Sequence, residues 1–138
     1  MKLVLDSWIL LALLKKQEPG AAFMADLWEK AFRGEVRLMA NIVNLGEVFY
    51  LTAKASNLET ADNVLENLRA RPLEILSVPD ALAWEAARVK ARFPVSYADA
   101  FAAATAARSD CPLVTGDPEM RRIEAAGLVD LEWAGEPS

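Results

Sequence analysis

The sequence predicts a three-layer α/β/α sandwich whose central sheet is mainly parallel. Short apolar runs, such as residues 3–5 and 113–115, alternate with longer stretches whose apolar residues recur at helical spacing. Strands that are apolar on both faces and separated by helices are typical of parallel sheets covered on both sides. The 138 residues suit one domain with one sizeable core, and no linker, repeat or low-complexity tract interrupts them.

In the first half of the chain, glycine and proline separate the predicted elements. Pro19 and Gly20 break the chain after the first helix, and Gly34 stops the second helix. Apolar residues at helical spacing then follow the second strand. The predicted elements are a strand at 3–5, a helix at 7–16, a helix that follows Gly20 and ends near 32, a strand at 36–40 and a helix at 41–57.

In the second half, prolines precede new elements and a glycine ends the last helix. Pro72 comes before an apolar strand, Pro79 precedes the helix that opens at Asp80, and Gly127 ends another helix. The predicted elements are a helix at 58–71, a strand around 73–78, helices at 80–93 and 96–109, a strand at 113–115, a helix at 117–126 and a strand at 128–133. We therefore expect a single domain over residues 1–133 and a frayed tail over 134–138.

The composition excludes several classes of enzyme. With no histidine and one cysteine, Cys111, the chain has no Ser-His-Asp triad, no Cys-His pair, no His-ligated zinc and no internal disulfide. Hydrolytic chemistry would have to use carboxylates, hydroxyls, lysines or a metal with oxygen ligands. The net charge of −5 opposes broad nucleic-acid binding, but metal ions in an acidic pocket would reverse the sign locally.

The apolar stretch near the start of the chain resembles neither a membrane span nor a secretion signal. Asp6 interrupts it, and it is shorter than the roughly 20 residues that a spanning helix needs. Lys15 and Lys16 stand where a signal peptide would have its cleavage site. We therefore expect a cytoplasmic protein without a membrane partner, and the single cysteine fits a reducing compartment.

Three acids lie at junctions between elements or just past them, and a fourth lies further into a helix. Asp6 and Asp117 directly follow predicted strands, and Asp99 stands near the start of an alanine-rich helix. Glu47 lies further into the helix that follows the second strand. In an open parallel sheet, ligands bind beyond the carboxyl ends of the strands. The four acids are therefore candidates for one shared site.

Helix capping is a competing explanation for three of these acids. Asp6 suits an N-cap, Asp117 precedes a proline at the first helical position, and Asp99 is spaced from Ser96 as in a capping box. Glu47 and Asp99, however, have no basic residue three or four positions away. An unpaired carboxylate among apolar residues is costly or takes up a proton. A hard cation that prefers oxygen ligands, Mg²⁺ or Mn²⁺, would offset that cost.

Together these residues resemble the PIN-domain family. The stretches VLDS near the start, YADA at 97–100 and LVTGDPEM at 113–120, with Glu47 between them, are similar to the toxin ribonucleases of VapBC toxin–antitoxin modules. The resemblance extends over nearly the whole chain and implies a PIN-like fold. It also implies a Mg²⁺-dependent endoribonuclease, with Mn²⁺ as a substitute, that hydrolyses RNA phosphodiesters with a metal-activated water.

The resemblance assigns roles to individual residues. The metal-binding and catalytic acids of the family match Asp6, Glu47, Asp99 and Asp117. Thr115 matches a hydroxyl that orients a ligand or water. Many relatives have a small hydroxyl or amide residue two positions after the first acid, where this chain has Trp8, so Ser7 is the candidate substitute. Arg121 and Arg122, one turn past the last acid, are candidates for contact with the RNA backbone.

The resemblance also implies partners: an RNA substrate such as tRNA or ribosomal RNA, a VapB-type antitoxin, and a second copy of the chain in a homodimer. Two alternatives stay open within the family, an RNA-processing nuclease outside a toxin–antitoxin module and a non-catalytic relative that binds a partner. A phospho-accepting receiver domain is another α/β alternative, but it would need a lysine after a late strand. No lysine follows Lys90.

Overall fold

The computed structural model describes residues 1–137 and has a central sheet of five strands. In chain order they are β1 (Lys2–Leu5), β2 (Arg37–Asn41), β3 (Leu73–Leu76), β4 (Leu113–Thr115) and β5 (Leu131–Trp133). They lie side by side in the order β3-β2-β1-β4-β5, and every neighbouring pair is parallel. The α/β sandwich with a parallel sheet that the sequence predicts is confirmed.

Seven α-helices surround the sheet within the described residues. They are α1 (Ser7–Leu14), α2 (Gly20–Phe32), α3 (Ile42–Ala55), α4 (Leu58–Arg69), α5 (Asp80–Arg92), α6 (Tyr97–Ser109) and α7 (Arg121–Ala125). A 3₁₀ turn over Pro118–Met120 precedes α7, so the helix predicted at 117–126 is divided in two. No helix within residues 1–137 is both long and apolar enough to cross a bilayer.

The last strand is shorter than the sequence predicts. It begins at Leu131 rather than at residue 128, because Leu128, just past α7, still hydrogen-bonds to that helix: its amide donates to the carbonyl of Ile123 at 3.3 Å. Past β5 the chain stays against the sheet. Ala134 is buried, and its amide donates to the carbonyl of Thr115 at 2.9 Å. The frayed tail over 134–138 stays a prediction, and residue 138 lies outside the described residues.

The sheet separates two apolar cores, and β1 contributes to both. Val4 packs with residues of α5, α6 and α7 on one face, whereas Leu3 and Leu5 pack with residues of α1, α2 and α4 on the other. This is the alternation expected of a strand covered on both sides. The sheet extends through β2 and β3 on one side of β1 and through β4 and β5 on the other. A crevice at such a switch point is where open α/β sheets bind ligands.

Helix α6 is buried around most of its circumference. All seven residues from Ala100 to Ala106 are buried, and five of them are alanine. A helix enclosed by neighbours on several sides needs small side chains, because each larger one would have to displace a packed element. The alanine-rich sequence of α6 is therefore a packing requirement as well as a helix-forming one.

We predict that Ala103→Leu lowers the free energy of unfolding by about 1–3 kcal/mol, because the added methylene and methyl groups overpack a filled core. Ala107→Leu is the matched control: it lies on the same helix, one turn further along, at an exposed position. That variant should change the free energy of unfolding by no more than about 0.5 kcal/mol. Urea unfolding of both variants measures the difference, and equal effects would contradict this account of α6.

Candidate active site

The four acids predicted from the sequence all lie towards the carboxyl edge of the sheet. Asp6 directly follows β1 and Asp117 follows β4, and these two strands are hydrogen-bonded neighbours. Asp99 lies in the first turn of α6, and Glu47 lies in α3, the helix that follows β2. Four distant segments of the chain therefore bring one acid each to this edge.

Asp6 is fully buried and serves as the N-cap of α1. One carboxylate oxygen, Oδ1, accepts a hydrogen bond from the amide of Ile9 at 3.0 Å. The other oxygen, Oδ2, is buried and has no hydrogen-bond partner within residues 1–137. The capping role predicted for Asp6 is confirmed, yet it satisfies only half of the carboxylate.

Burial is the main cause that raises the pKa of Asp6 to about 7. The hydroxyl of Thr115 and the amide of Ile9 act in the opposite direction, because they stabilise the ionised form. The charges of Asp99 and Asp117 add to the rise. Without a cation, Asp6 therefore stays mostly protonated up to about pH 7.

Asp99 is half-buried and its helix is capped as predicted. Its amide donates to Oγ of Ser96 at 3.1 Å, which is the N-cap contact of α6. Burial raises the pKa of Asp99 to about 6, and the carboxylates of Asp117 and Glu47 contribute to the rise. Hydrogen bonds with Ser96 oppose it. The carboxylates of Asp117 and Glu47 therefore lie close enough to Asp99 to affect its ionisation.

A fifth acid, Glu119, joins the group at this edge. Asp99, Asp117 and Glu119 each present a carboxylate oxygen within 4.8 Å of the other two. Asp117 caps the 3₁₀ turn, since its Oδ1 accepts from the amide of Glu119 at 3.0 Å. The sequence prediction did not include Glu119. Its position two residues past a candidate ligand, on a tight turn, was the available signal.

Glu47 lies at the outer side of the group and is half-buried. Its Oε2 accepts a hydrogen bond from the hydroxyl of Tyr50 at 3.4 Å. In the part of the chain that the structure describes, no lysine or arginine forms a salt bridge with Glu47 or with the four other acids. For Glu47 and Asp99, the sequence likewise places no basic residue three or four positions away.

A buried polar network connects the helices that carry these acids. The side-chain amide of Asn44 in α3 donates to Oγ of Ser7 in α1 and to the carbonyl of Ala98 in α6, both at 3.0 Å. Asn41, the N-cap of α3, accepts from the amide of Asn44 at 2.8 Å and donates to Oγ1 of Thr105 at 3.0 Å. Both asparagines are fully buried. The network therefore fixes α1, α3 and α6 relative to one another.

The sequence profile of the PIN domain matches residues 3–126, which is most of the chain. The chain belongs to the PIN-domain family. The family assignment made from VLDS, YADA and LVTGDPEM is therefore confirmed. A comparison with curated protein sequences gave no match.

Solved structures similar to this PIN domain come from toxin–antitoxin systems. VapC20 of Mycobacterium tuberculosis, a sarcin-ricin loop cleaving toxin, has a TM-score of 0.72 at 18% identity, over 94% of this chain and 98% of that one. VapBC2 of Rickettsia felis, bound to a promoter DNA fragment, has a TM-score of 0.71 at 19% identity, over 96% and 98%. VapBC-1 of nontypeable Haemophilus influenzae has a TM-score of 0.67 at 19% identity, over 98% of both chains. At these identities the likeness concerns the fold.

The remaining predicted residues of this PIN domain have other contacts. Ser7 donates to the carbonyl of Asn44 at 3.2 Å and so belongs to the buried network. Thr115 is buried, and its Oγ1 accepts from the amide of Asp117 at 3.2 Å. The guanidinium of Arg121 lies 3.8 Å from the ring centroid of Trp133. Arg122 is exposed on α7.

The buried Asp6 gives this PIN domain a stability that depends on pH. Its pKa in the folded protein, about 7, lies above the ordinary value of 3.8. The folded state therefore binds the proton more tightly than the unfolded state, and stability is lost as the pH rises from 3.8 to about 7. Above that range, the metal-free protein carries the full cost of the buried charge.

We predict that Asp6→Asn raises the free energy of unfolding by about 1–3 kcal/mol at pH 8 in EDTA, because each pKa unit corresponds to about 1.4 kcal/mol and the buried amide regains only part of it. Asparagine can still cap α1. The gain should be smaller at pH 5, and Asp62→Asn, at an exposed site on α4, should change little at either pH. A loss of stability at pH 8 in urea unfolding would contradict the prediction.

Proposed function

We propose that this PIN domain is an endoribonuclease that depends on a divalent cation and acts as the toxin of a VapBC-type toxin–antitoxin module in the cytoplasm. The observation that supports it most is the meeting of acids from separate segments without a basic partner among the described residues. Capping brings Asp6 and Asp117 to this edge of the sheet, but it accounts neither for Glu47 nor for the oxygen of Asp6 that has no partner within residues 1–137. A cation that binds all of them would relieve their repulsion.

The residues present fit Mg²⁺ or Mn²⁺. Oδ2 of Asp6 is a buried carboxylate oxygen without a partner within residues 1–137, and such an atom is costly unless a proton or a cation joins it. Asp99, Asp117 and Glu119 add oxygen atoms within 4.8 Å of one another. All of these are oxygen donors, which hard divalent cations prefer. Asp6, Asp99 and Asp117 would hold the ion, with Glu119 as an additional ligand.

A bound divalent ion would supply positive charge beside the phosphate and lower the pKa of a water molecule. Two other residues position the attacking water and the loop that carries Asp117. Glu47, held by the hydroxyl of Tyr50, accepts a hydrogen bond from the attacking water and orients it towards phosphorus. Thr115 holds the amide of Asp117 and so fixes that loop. Attack in line with the bond to the 3′ oxygen leaves a 5′-phosphate and a 3′-hydroxyl.

The proposed partners follow from the proposed activity. The solved VapBC structures support a VapB-type antitoxin as inhibitor, and a homodimer is part of the same proposal. The sarcin-ricin loop cleaving toxin supports structured RNA, ribosomal RNA or tRNA, as the substrate. Arg122 and Arg121 would contact the RNA backbone. Arg121 is less available, because it stacks on Trp133 and forms a salt bridge with Glu124 at 3.6 Å.

We predict that Asp99→Asn lowers Mg²⁺-dependent RNA cleavage by at least about 100-fold, since the variant loses a charged ligand while its N-cap at Ser96 stays in place. Asp62→Asn is the matched control and should cleave at the wild-type rate. The measurement is sequencing of 5′ ends after incubation of purified protein with total RNA, with EDTA as a second control. Normal cleavage by Asp99→Asn would refute the site, and no Mg²⁺-dependent cleavage by the wild type would favour the non-catalytic alternative.

We predict that Glu119→Gln raises the Mg²⁺ concentration needed for half-maximal cleavage by about 10-fold, with little change in the rate at saturating Mg²⁺. The reason is that Glu119 shares its surroundings with Asp99 and Asp117 but is exposed, so its loss weakens the site without dismantling it. Glu66→Gln, at an exposed position on α4, is the control. An unchanged Mg²⁺ dependence would remove Glu119 from the proposed ligand set.

A further inference from the structure

Trp8 lies between two glycines that leave no room for a side chain. A Cβ at Gly20 would lie 2.9 Å from both Cη2 and Cζ3 of the Trp8 ring. A Cβ at Gly116 would overlap the same two ring atoms. The far edge of the indole therefore contacts two backbones that are nearly 100 residues apart in the chain. Glycine is required at both positions because of this close approach and not because of its backbone angles.

The two ends of this contact belong to the candidate site. Trp8 lies in the first turn of α1, two residues after Asp6. Gly116 stands between Thr115 and Asp117, in the loop that follows β4. The indole therefore spans the distance between the segment that carries Asp6 and the loop that carries Asp117.

The segment after β5 packs against the same loop. A Cβ at Gly135 would lie 2.6 Å from the carbonyl oxygen of Gly116 and 2.9 Å from its Cα. The amide of Ala134 donates to the carbonyl of Thr115 at 2.9 Å. A Cβ at Gly116 would lie 2.7 Å from Cα of Gly135 as well as against the indole, so both neighbours pack beside Gly116. The position of the loop therefore depends on both of them.

We infer that Trp8 is a positioning residue that sets the separation between the carboxylates of Asp6 and Asp117, and through it the affinity of the site for a divalent cation. The inference rests on the proposed function, because it concerns the same site. A smaller ring at position 8 leaves a gap beneath Gly116, and the loop with Asp117 shifts into it. Metal sites lose affinity steeply when groups that orient their ligands are removed.

The test compares two Trp→Phe variants of the same apolar core. Trp8→Phe removes the ring edge that touches Gly20 and Gly116 but keeps an aromatic ring. Trp28→Phe is the matched control: Trp28 is buried in the core that Trp8 packs against, but it lies on α2 against Arg71. Binding of Mn²⁺ to the metal-free proteins is measured by the electron paramagnetic resonance signal of the free ion, and stability is measured by urea unfolding.

We expect Trp8→Phe to weaken Mn²⁺ binding by about 10-fold, while Trp28→Phe keeps the wild-type affinity at a comparable loss of stability. Equal Mn²⁺ affinities for Trp8→Phe and the wild type would overturn the inference and leave the proposed function intact. A wild-type protein that binds no Mn²⁺ would overturn both.

A second variant changes the contact between the indole and Gly20. Gly20→Ala places a methyl group 2.9 Å from the ring edge and from Cβ of Ala12, on the same helix as Trp8, so α1 and its indole have to shift. It should also weaken Mn²⁺ binding, and the double variant with Trp8→Phe should bind no more weakly than the weaker of the two single variants, because the ring edge is then absent. Fully additive losses would show that the two positions act independently and would overturn the inference. If Trp8→Phe is too unstable to purify, Gly20→Ala alone is the test, and a wild-type Mn²⁺ affinity for that variant would overturn the inference.

Discussion

The burial of carboxylates close to one another at the end of a buried strand is the constraint to which much of this structure responds. Asp6 is out of contact with water and Asp99 is half-buried, and burial raises the pKa of each. Groups of like charge separate when they can, so the surroundings must hold them together. The parallel pairing of β1 and β4, the asparagine network and the packed loop after β4 perform this task. The contacts that make this edge rigid therefore also hold the acids in the arrangement that the proposed chemistry needs.

Helix capping and site formation prove to be compatible. Asp6 caps α1 with one oxygen and leaves the other without a partner within residues 1–137. Asp117 caps the 3₁₀ turn, and the Ser96 cap fixes the first turn of α6, where Asp99 lies. In a parallel sheet, each helix that directly follows a strand begins at the same edge, so the topology brings Asp6 and Asp117 together. Helix α6 follows α5 instead, and Asn44 ties its first turn to α3 through the carbonyl of Ala98. The two competing explanations for these acids describe the same geometry.

Periodicity and breakers were sufficient to predict the order of the elements, because the central strands β1 and β4 are apolar on both faces and the helices have start or stop residues. They misplaced the start of β5, since Leu128 is apolar but hydrogen-bonds to the end of α7. The sequence pattern could not predict contacts between distant segments of the chain. The turn after β4 brings the carboxylate of Glu119 close to that of Asp99, and the side chain of Asn44 in α3 donates a hydrogen bond to Ser7 in α1. A pattern of local spacing carries no information about such neighbours.

The alanines of α6 have a consequence for the dimensions of the whole edge. Side chains of one carbon allow the helix to pack close to β1 and β2. A bulkier residue in place of one of the buried alanines would push the helix, and Asp99 with it, away from the sheet. The distance between Asp99 and Asp6 therefore depends on the alanine side chains of α6, which are buried between the helix and its neighbours.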